Sequence, residues 1–280
     1  MGIKVNFDTL YTNGDSWTAG HFIQPSLIKK GIEDPNHIDN TAYRKKYSWP
    51  AYTGFKLGIK VENKAHAGAS NDWIVRSTIN DFNELLKTHS PNKFFALIGW
   101  SSPERKDFFY KNGEIQGWDT FYPAEYRDWT DKDDKVRNDF YKSYVVRFWN
   151  EEEYYTRHML NVINLSNFFK TKKIKFRFFD SFYESKANAM SIQPTLYNTP
   201  VLGTAIGKWY ESTPHIDNLN IHGVYEDYSK LYSKYYIKQS FLGYLKSYAK
   251  NQKHFERLVG YHPSKEGHIQ WAEHLISLFE

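Results

Sequence analysis

Two segments at opposite ends of the chain carry side chains suited to acyl transfer. Near the N-terminus, Gly14-Asp15-Ser16 follows the alternating, β-forming stretch Phe7 to Asn13, so a serine hydroxyl is expected at the carboxyl edge of a strand. Near the C-terminus, His262-Pro263-Ser264 leads into a helical pattern and supplies an imidazole. Between them lie two glycine-bearing strand ends, at Gly68 and Gly99. A serine hydroxyl is a weak nucleophile until a neighbouring base takes its proton. The tetrahedral oxyanion then needs donors such as backbone N–H groups at glycine turns. The four places together hold every component.

The elements that must bring them together can be read from periodicity. Ile59 to Ala65 is a short strand candidate. Ser70 or Asn71 then caps a helix whose apolar residues Val75, Ile79, Phe82 and Leu86 recur at steps of four, three and four. Lys93 to Ile98 contains a continuous apolar run, as in a strand buried on both faces, and ends at Gly99. Residues 103–135 lose periodicity and carry Tyr110, Trp118, Phe121, Tyr122, Tyr126 and Trp129, which reads as an aromatic loop insertion. Helix returns from about Asn138 to Lys170, a strand follows at Ile174 to Phe179, and Val201 to Ile206 is a further short strand or a buried turn. Tyr228 to Lys250 and the stretch from about Lys265 read as helices. Strand and helix alternation implies an α/β fold with a parallel sheet, in which ligands bind outside the carboxyl ends of the strands.

Composition narrows the chemistry. At 40% hydrophobic and 18% aromatic residues, the 280-residue chain has ample apolar area to fold, and it is read as one domain. The absence of Cys excludes disulfides, thiolate metal sites and cysteine nucleophiles. Thirty-seven basic residues against 32 acidic ones leave a formal charge of +5, and the two signs are interleaved, so nucleic acid is not an expected partner. No window offers the roughly 18 uninterrupted apolar residues of a membrane span. Asp8, Asn13 and Asp15 stand where a signal peptide would be apolar, so a soluble, cytoplasmic chain rather than one exported by that route is expected. Gly203 to Trp209 lacks P-loop spacing, and no G-x-G-x-x-G follows a strand. Neither Ser16 nor Ser101 sits in a G-x-S-x-G elbow. Asp131-Lys-Asp-Asp134 lacks calcium-loop spacing. No cofactor or metal is expected.

Asn13-Gly14-Asp15-Ser16, Gly68, Gly99 and His262-Pro263-Ser264-x-x-Gly267 fall in the order and approximate positions of the sequence blocks of the SGNH (GDSL-type) hydrolases, which the chain resembles over nearly its whole length. The resemblance implies a three-layer α/β/α flavodoxin-like domain and cofactor-free cleavage of esters, including acetylated sugars and lipids. It implies Ser16 as nucleophile, His262 rather than His268 as base, and the Ser16 and Gly68 backbones as oxyanion donors. Similar sequences occur in tailed bacteriophages, so a virion component acting on or adhering to host glycans is one expectation, with homo-oligomer assembly another.

Two positions depart from the family pattern. Gly99-Trp100-Ser101-Ser102 stands where the family has Gly-x-Asn-Asp, leaving Ser101 at the matching position or Asn71 to replace the amide donor. Val259 stands where the family has the acid partner of the histidine. Asp180 is one substitute, and a backbone carbonyl orienting a Ser-His dyad is the other. Trp100, Trp118, Trp129 and Arg105 are the expected substrate contacts, Glu104-Arg105 alternatively holding the active-site loop, with an O-acylated carbohydrate as preferred substrate because aromatic faces stack on sugars. The alternative is a decayed site in a structural or glycan-binding protein.

Overall fold

The computed structural model describes residues 5–21, 23, 38–112, 115–121, 135–148, 151–182, 224–249 and 262–279. Trp129, the expected element at Val201 to Ile206 and Asp131 to Asp134 lie outside them. The central sheet has four strands, β1 (Thr9–Asn13), β2 (Lys60–Asn63), β3 (Phe94–Trp100) and β6 (Lys175–Asp180), in the order β2-β1-β3-β6 and all parallel. A parallel sheet needs a crossover between neighbouring strands, and helices provide it.

Strand alternation divides the core in two. Tyr11, Ala96, Ile98, Trp100, Phe176 and Phe178 face one side. There they meet Ile74 and Phe82 of α4 (Asn71–Leu85), Met159, Val162 and Phe169 of α6 (Glu151–Thr171), and Tyr228 of α7 (Val224–Tyr235). Leu10, Leu97 and Phe179 face the other side. Their partners are Trp17 of the one-turn α1 (Ser16–Ala19), Trp49 of α3 (Trp49–Leu57), Phe241 of α8 (Phe241–Ala249) and Trp271 of α9 (Lys265–Ile276). The result is the expected three-layer α/β/α arrangement. The helices α2 (Ile38–Tyr47) and α5 (Lys135–Arg147) complete the described elements.

Several boundaries differ from the sequence reading, each for a packing reason. The buried line of α4 is Asn71, Ile74, Thr78 and Phe82, with Val75, Ile79 and Leu86 only half-buried beside it. Thr78 faces inward because Asn13 Nδ2 donates to its Oγ1 at 2.8 Å, so a polar residue occupies the core line. β3 continues through Gly99 to Trp100, where β6 pairs Phe179 with Gly99 and Asp180 with Trp100. The stretch read as one helix from Tyr228 is two, α7 and α8. They are broken where Tyr236 bridges Phe178 and the Ile237 N–H donates to the Phe178 carbonyl, extending the sheet at its β6 edge. The helix expected from Asn138 is likewise two, α5 and α6.

The segment expected as an aromatic loop is in part an antiparallel hairpin, β4 (Lys106–Asn112) with β5 (Ile115–Phe121). Its aromatics lie on both strands, and Phe109 and Trp118 pair across the ladder, an arrangement that a search for helical period does not detect. Asp107 anchors it: its carboxylate accepts from Ser70, from Thr120 at 2.8 Å and from Arg76 at 2.8 Å.

Gly99 is required by close approach. A Cβ there would stand 2.6 Å from Phe179 Cζ and 2.7 Å from Thr18 Oγ1, and Phe179 is held between Trp49 and Trp271. Gly99→Ala is expected to lower unfolding free energy by about 1–3 kcal/mol, the usual cost of an overpacked core. A urea midpoint equal to wild type would contradict this.

Candidate active site

Asp15 caps α1: its Oδ1 accepts the Trp17 N–H at 3.0 Å, and the one-turn helix ends at Gly20 in a left-handed conformation. Ser16 is the first residue of that turn, at the carboxyl end of β1, and is 8% exposed. At the other end of the chain, Ser264 caps α9 by accepting the Gly267 N–H at 3.2 Å, which fixes the approach of Pro263 and His262. The two ends meet. His262 Nε2 lies 2.9 Å from Ser16 Oγ, across 246 residues of sequence. In the tautomer with the proton on Nδ1, the Ser16 hydroxyl donates to the imidazole, the geometry a general base requires.

His268 has a different task. It is wholly buried, its Nδ1 accepts the Trp49 N–H at the start of α3 at 3.3 Å, and burial pushes its pKa down to about 3. Of the two histidines, the structure brings His262 to Ser16 and seats His268 against α3. His21 was missed by the sequence reading, although it lies only five residues after Ser16. Its N–H donates to the Ser16 carbonyl at 2.9 Å. Burial first, then the charges of Arg44, His262 and His66, lower its pKa to about 4.

Gly68 occupies a tight turn in which the Ala69 N–H donates to the His66 carbonyl at 3.2 Å, and its φ of 75° is one that glycine adopts without strain. The His66 N–H donates to the Gly14 carbonyl at 3.0 Å, so this turn is fastened to the strand end that carries Ser16. Gly68 and Ser16 therefore border the same end of the sheet.

The two candidates for the missing amide donor are bound to each other. Asn71 Oδ1 accepts the Ser101 N–H at 2.8 Å, which orients the amide. Its Nδ2 then donates to the Ser101 carbonyl at 3.1 Å and faces His158 Nδ1 at 3.0 Å. Both amide hydrogens of Asn71 are thereby used, and Asn71 is corrected from an oxyanion donor to a brace for the strand end. His158 carries its proton on Nε2, and burial, with a smaller contribution from Arg157, lowers its pKa to about 3. Burial raises the pKa of the Asp15 carboxyl, and the Arg105 charge, the Trp17 N–H and the buried Ser101 hydroxyl oppose that rise.

Asp180 ends β6, buried, with Trp100 as its register partner; burial first, then Tyr228 and the Asp180 charge, raise the pKa of Tyr236. The next residue is fixed at the same strand end: the Ser181 N–H donates to the Trp100 carbonyl at 2.8 Å, and Ser181 Oγ lies 3.4 Å from Asp15 Oδ1. Among the expected substrate contacts, Trp100 is corrected to a core residue. It has no exposed surface and packs on Phe178 and His158, because β3 turns its side chain to the α4/α6 layer. Trp118 is 54% exposed, with the Arg76 guanidinium 4.0 Å from its ring centre and Phe109 beside it edge-on. Arg105, expected either to hold the active-site loop or to contact an acidic group of the substrate, is buried, 8% exposed, and its Nη1 donates to the Ala69 carbonyl at 3.3 Å.

Among the described residues no cluster of three or more His, Asp or Glu is arranged to hold a metal ion, and no helix is long and apolar enough to cross a membrane.

Comparison with solved structures finds similarity to a putative lipolytic protein of the G-D-S-L family from Desulfitobacterium hafniense DCB-2, at 14% identity, covering 96% of this chain and 98% of that one, with a TM-score of 0.43. The psychrotrophic esterase EstA from Pseudoalteromonas sp. is 10% identical, with 97% of each chain covered and a TM-score of 0.45. A catalytic mutant of an acetylxylan esterase from Geobacillus stearothermophilus is 13% identical, with 97% and 94% covered and a TM-score of 0.41. No curated protein matches the chain. A family model does match, over residues 29–201, a span that contains Gly68 and Ser101 and excludes Ser16 and His262. The chain belongs to that family, described as a family of unknown function (DUF6071).

Proposed function

We propose that the chain is a cofactor-independent serine ester hydrolase. The observation that carries this reading is the 2.9 Å approach of His262 Nε2 to Ser16 Oγ at the carboxyl edge of a parallel sheet. Ser16 Oγ attacks the acyl carbon while His262 takes its proton. The imidazolium returns that proton to the leaving alcohol, and water, activated by the same imidazole, releases the acid from Ser16. Backbone N–H groups of Ser16 and Gly68 hold the oxyanion, with the Ser101 hydroxyl as third donor.

An O-acylated carbohydrate is the substrate class we favour. The support is the exposed pair Phe109 and Trp118, 58% and 54% accessible, on a hairpin whose Asp107 is anchored to Ser70, two residues past Gly68. Such rings offer flat apolar surface to a sugar.

A fluorophosphonate probe tests the reading, because it reacts only with a serine whose proton has an acceptor and whose developing charge has donors. Wild type is expected to be phosphonylated stoichiometrically, with the adduct mapped to Ser16, and Ser16→Ala to stay unlabelled. An unlabelled wild type would instead mark a binding protein that retains only the fold.

A further inference from the structure

Two adjacent residues of α6 hold the loop that follows β3, and one of them bears on a proposed donor of the candidate site. Arg157 donates to the Arg105 carbonyl at 2.8 Å and the Pro103 carbonyl at 3.1 Å, and is itself held by Asp72 and Glu153, each at 3.1 Å. His158, the next residue, is buried and serves the start of the same loop. Its Nδ1 lies 3.0 Å from Asn71 Nδ2, and this is its one hydrogen bond among the described residues. The ring packs edge-on against Trp100 and Tyr228, with centroids 5.7 and 6.0 Å away, so it has little freedom to swing away from Asn71.

Asn71 grips Ser101 at both backbone groups, accepting its N–H at 2.8 Å and donating to its carbonyl at 3.1 Å. This double hold fixes where the Ser101 peptide, and with it the Ser101 side chain, stands at the end of β3. It depends on the direction of the amide plane, which can rock about the Cβ–Cγ bond when Ser101 is its only partner. His158 Nδ1 takes the second amide hydrogen and stops that motion. We infer that His158 is a positioning residue: acting through Asn71, it sets the place of the Ser101 hydroxyl as third oxyanion donor. The inference rests on the serine hydrolase reading, in which Ser101 supplies that donor. A donor serves a developing oxyanion only at about 2.7–3.1 Å, and a misplacement of about 1 Å is costly. Burial lowers the His158 pKa to about 3, so near pH 7 the ring is neutral and Nδ1 remains an acceptor while His262 works as base.

His158→Leu fills the space and removes the acceptor, whereas His158→Asn puts an amide oxygen where Nδ1 stands. Turnover is counted per serine phosphonylated at the end point, which leaves out unfolded molecules. On that basis the kcat of His158→Leu on p-nitrophenyl acetate and its rate of phosphonylation at Ser16 are expected to fall together by about tenfold or more, with KM within about threefold of wild type. His158→Asn is expected to recover both rates to within about threefold of wild type. In an Asn71→Ala background His158→Leu should add no further loss, because its effect passes through that amide. Wild-type rates in His158→Leu overturn the inference, and so do losses in His158→Asn as deep as in His158→Leu, or additive losses in the double variant. If His158→Leu does not fold, the inference requires near-wild-type rates in His158→Asn beside a loss of about tenfold in Asn71→Ala, and any other pair overturns it. All these results leave the hydrolase reading intact. An unlabelled wild type removes that reading, and this inference with it.

Discussion

Ser16→Ala is expected to lower the turnover of p-nitrophenyl acetate by about 10⁴-fold or more, and His262→Ala by a comparable factor. The reason is geometric. Ser16 Oγ has its acceptor at 2.9 Å, and the serine hydroxyl is nucleophilic only when its proton can leave as the acyl bond forms. Removing either partner stops the same step, so the double variant should be scarcely slower than the singles. What remains comes from binding and from the backbone donors. A His268→Asn variant gives the contrast, because that imidazole spends its Nδ1 on the Trp49 N–H and should leave kcat within threefold of wild type. Wild-type rates in Ser16→Ala would take the nucleophile away from this position. Equal losses in His262→Ala and His268→Asn would show that folding, not proton transfer, is being measured.

Acid is expected to unfold the protein well before its carboxylates are titrated. His158 and His268 are buried with pKa values lowered to about 3, while the unfolded chain binds those protons near pH 6.5. Stability from this source is complete above about pH 6.5. It falls as pH drops toward 3, because over that window the unfolded state takes up protons that the folded state refuses. Each group costs about 1.4 kcal/mol per pH unit, so at pH 4.5 the two together cost about 5 kcal/mol, comparable with the whole stability of many domains. His21, lowered to about 4, and His274 act in the same direction. Asp15, raised by burial, acts in the opposite one. Urea midpoints at pH 7 and pH 4.5 measure the loss. His268→Asn, which keeps an acceptor for the Trp49 N–H, should remove about half of the histidine contribution. Equal midpoints at the two pH values would mean that these imidazoles have access to water.

Much of the frame was legible before any coordinates. Strand ends at Asn13 and near Gly99, the cap at Ser70, and the amphipathic course of α4 and α9 all follow from local rules: glycine and capping residues stop or start an element, and apolar period fixes its buried side. The Ser16 and His262 assignments came from motif order along the chain. The pairing itself is a long-range contact, made because a parallel sheet collects its strand ends on one side and α9 docks beside them.

Side-chain direction at the end of β3 had no local signal. Trp100 and Ser101 are adjacent letters, yet the pleat sends the indole into the core while Asn71 fastens the Ser101 backbone in place. The same holds for Asn71, whose amide is bound to Ser101 and His158, and for Arg105, whose Nη1 donates to the Ala69 carbonyl, although both residue types suit a substrate or an oxyanion. Residue type and spacing therefore determined which chemistry the chain can hold and roughly where its elements begin and end, since those depend on backbone preference and apolar period over a few residues. Tertiary packing alone decided which polar groups remain available to a ligand, because that depends on partners 30 to 250 residues away in sequence competing for each donor and acceptor in a buried space.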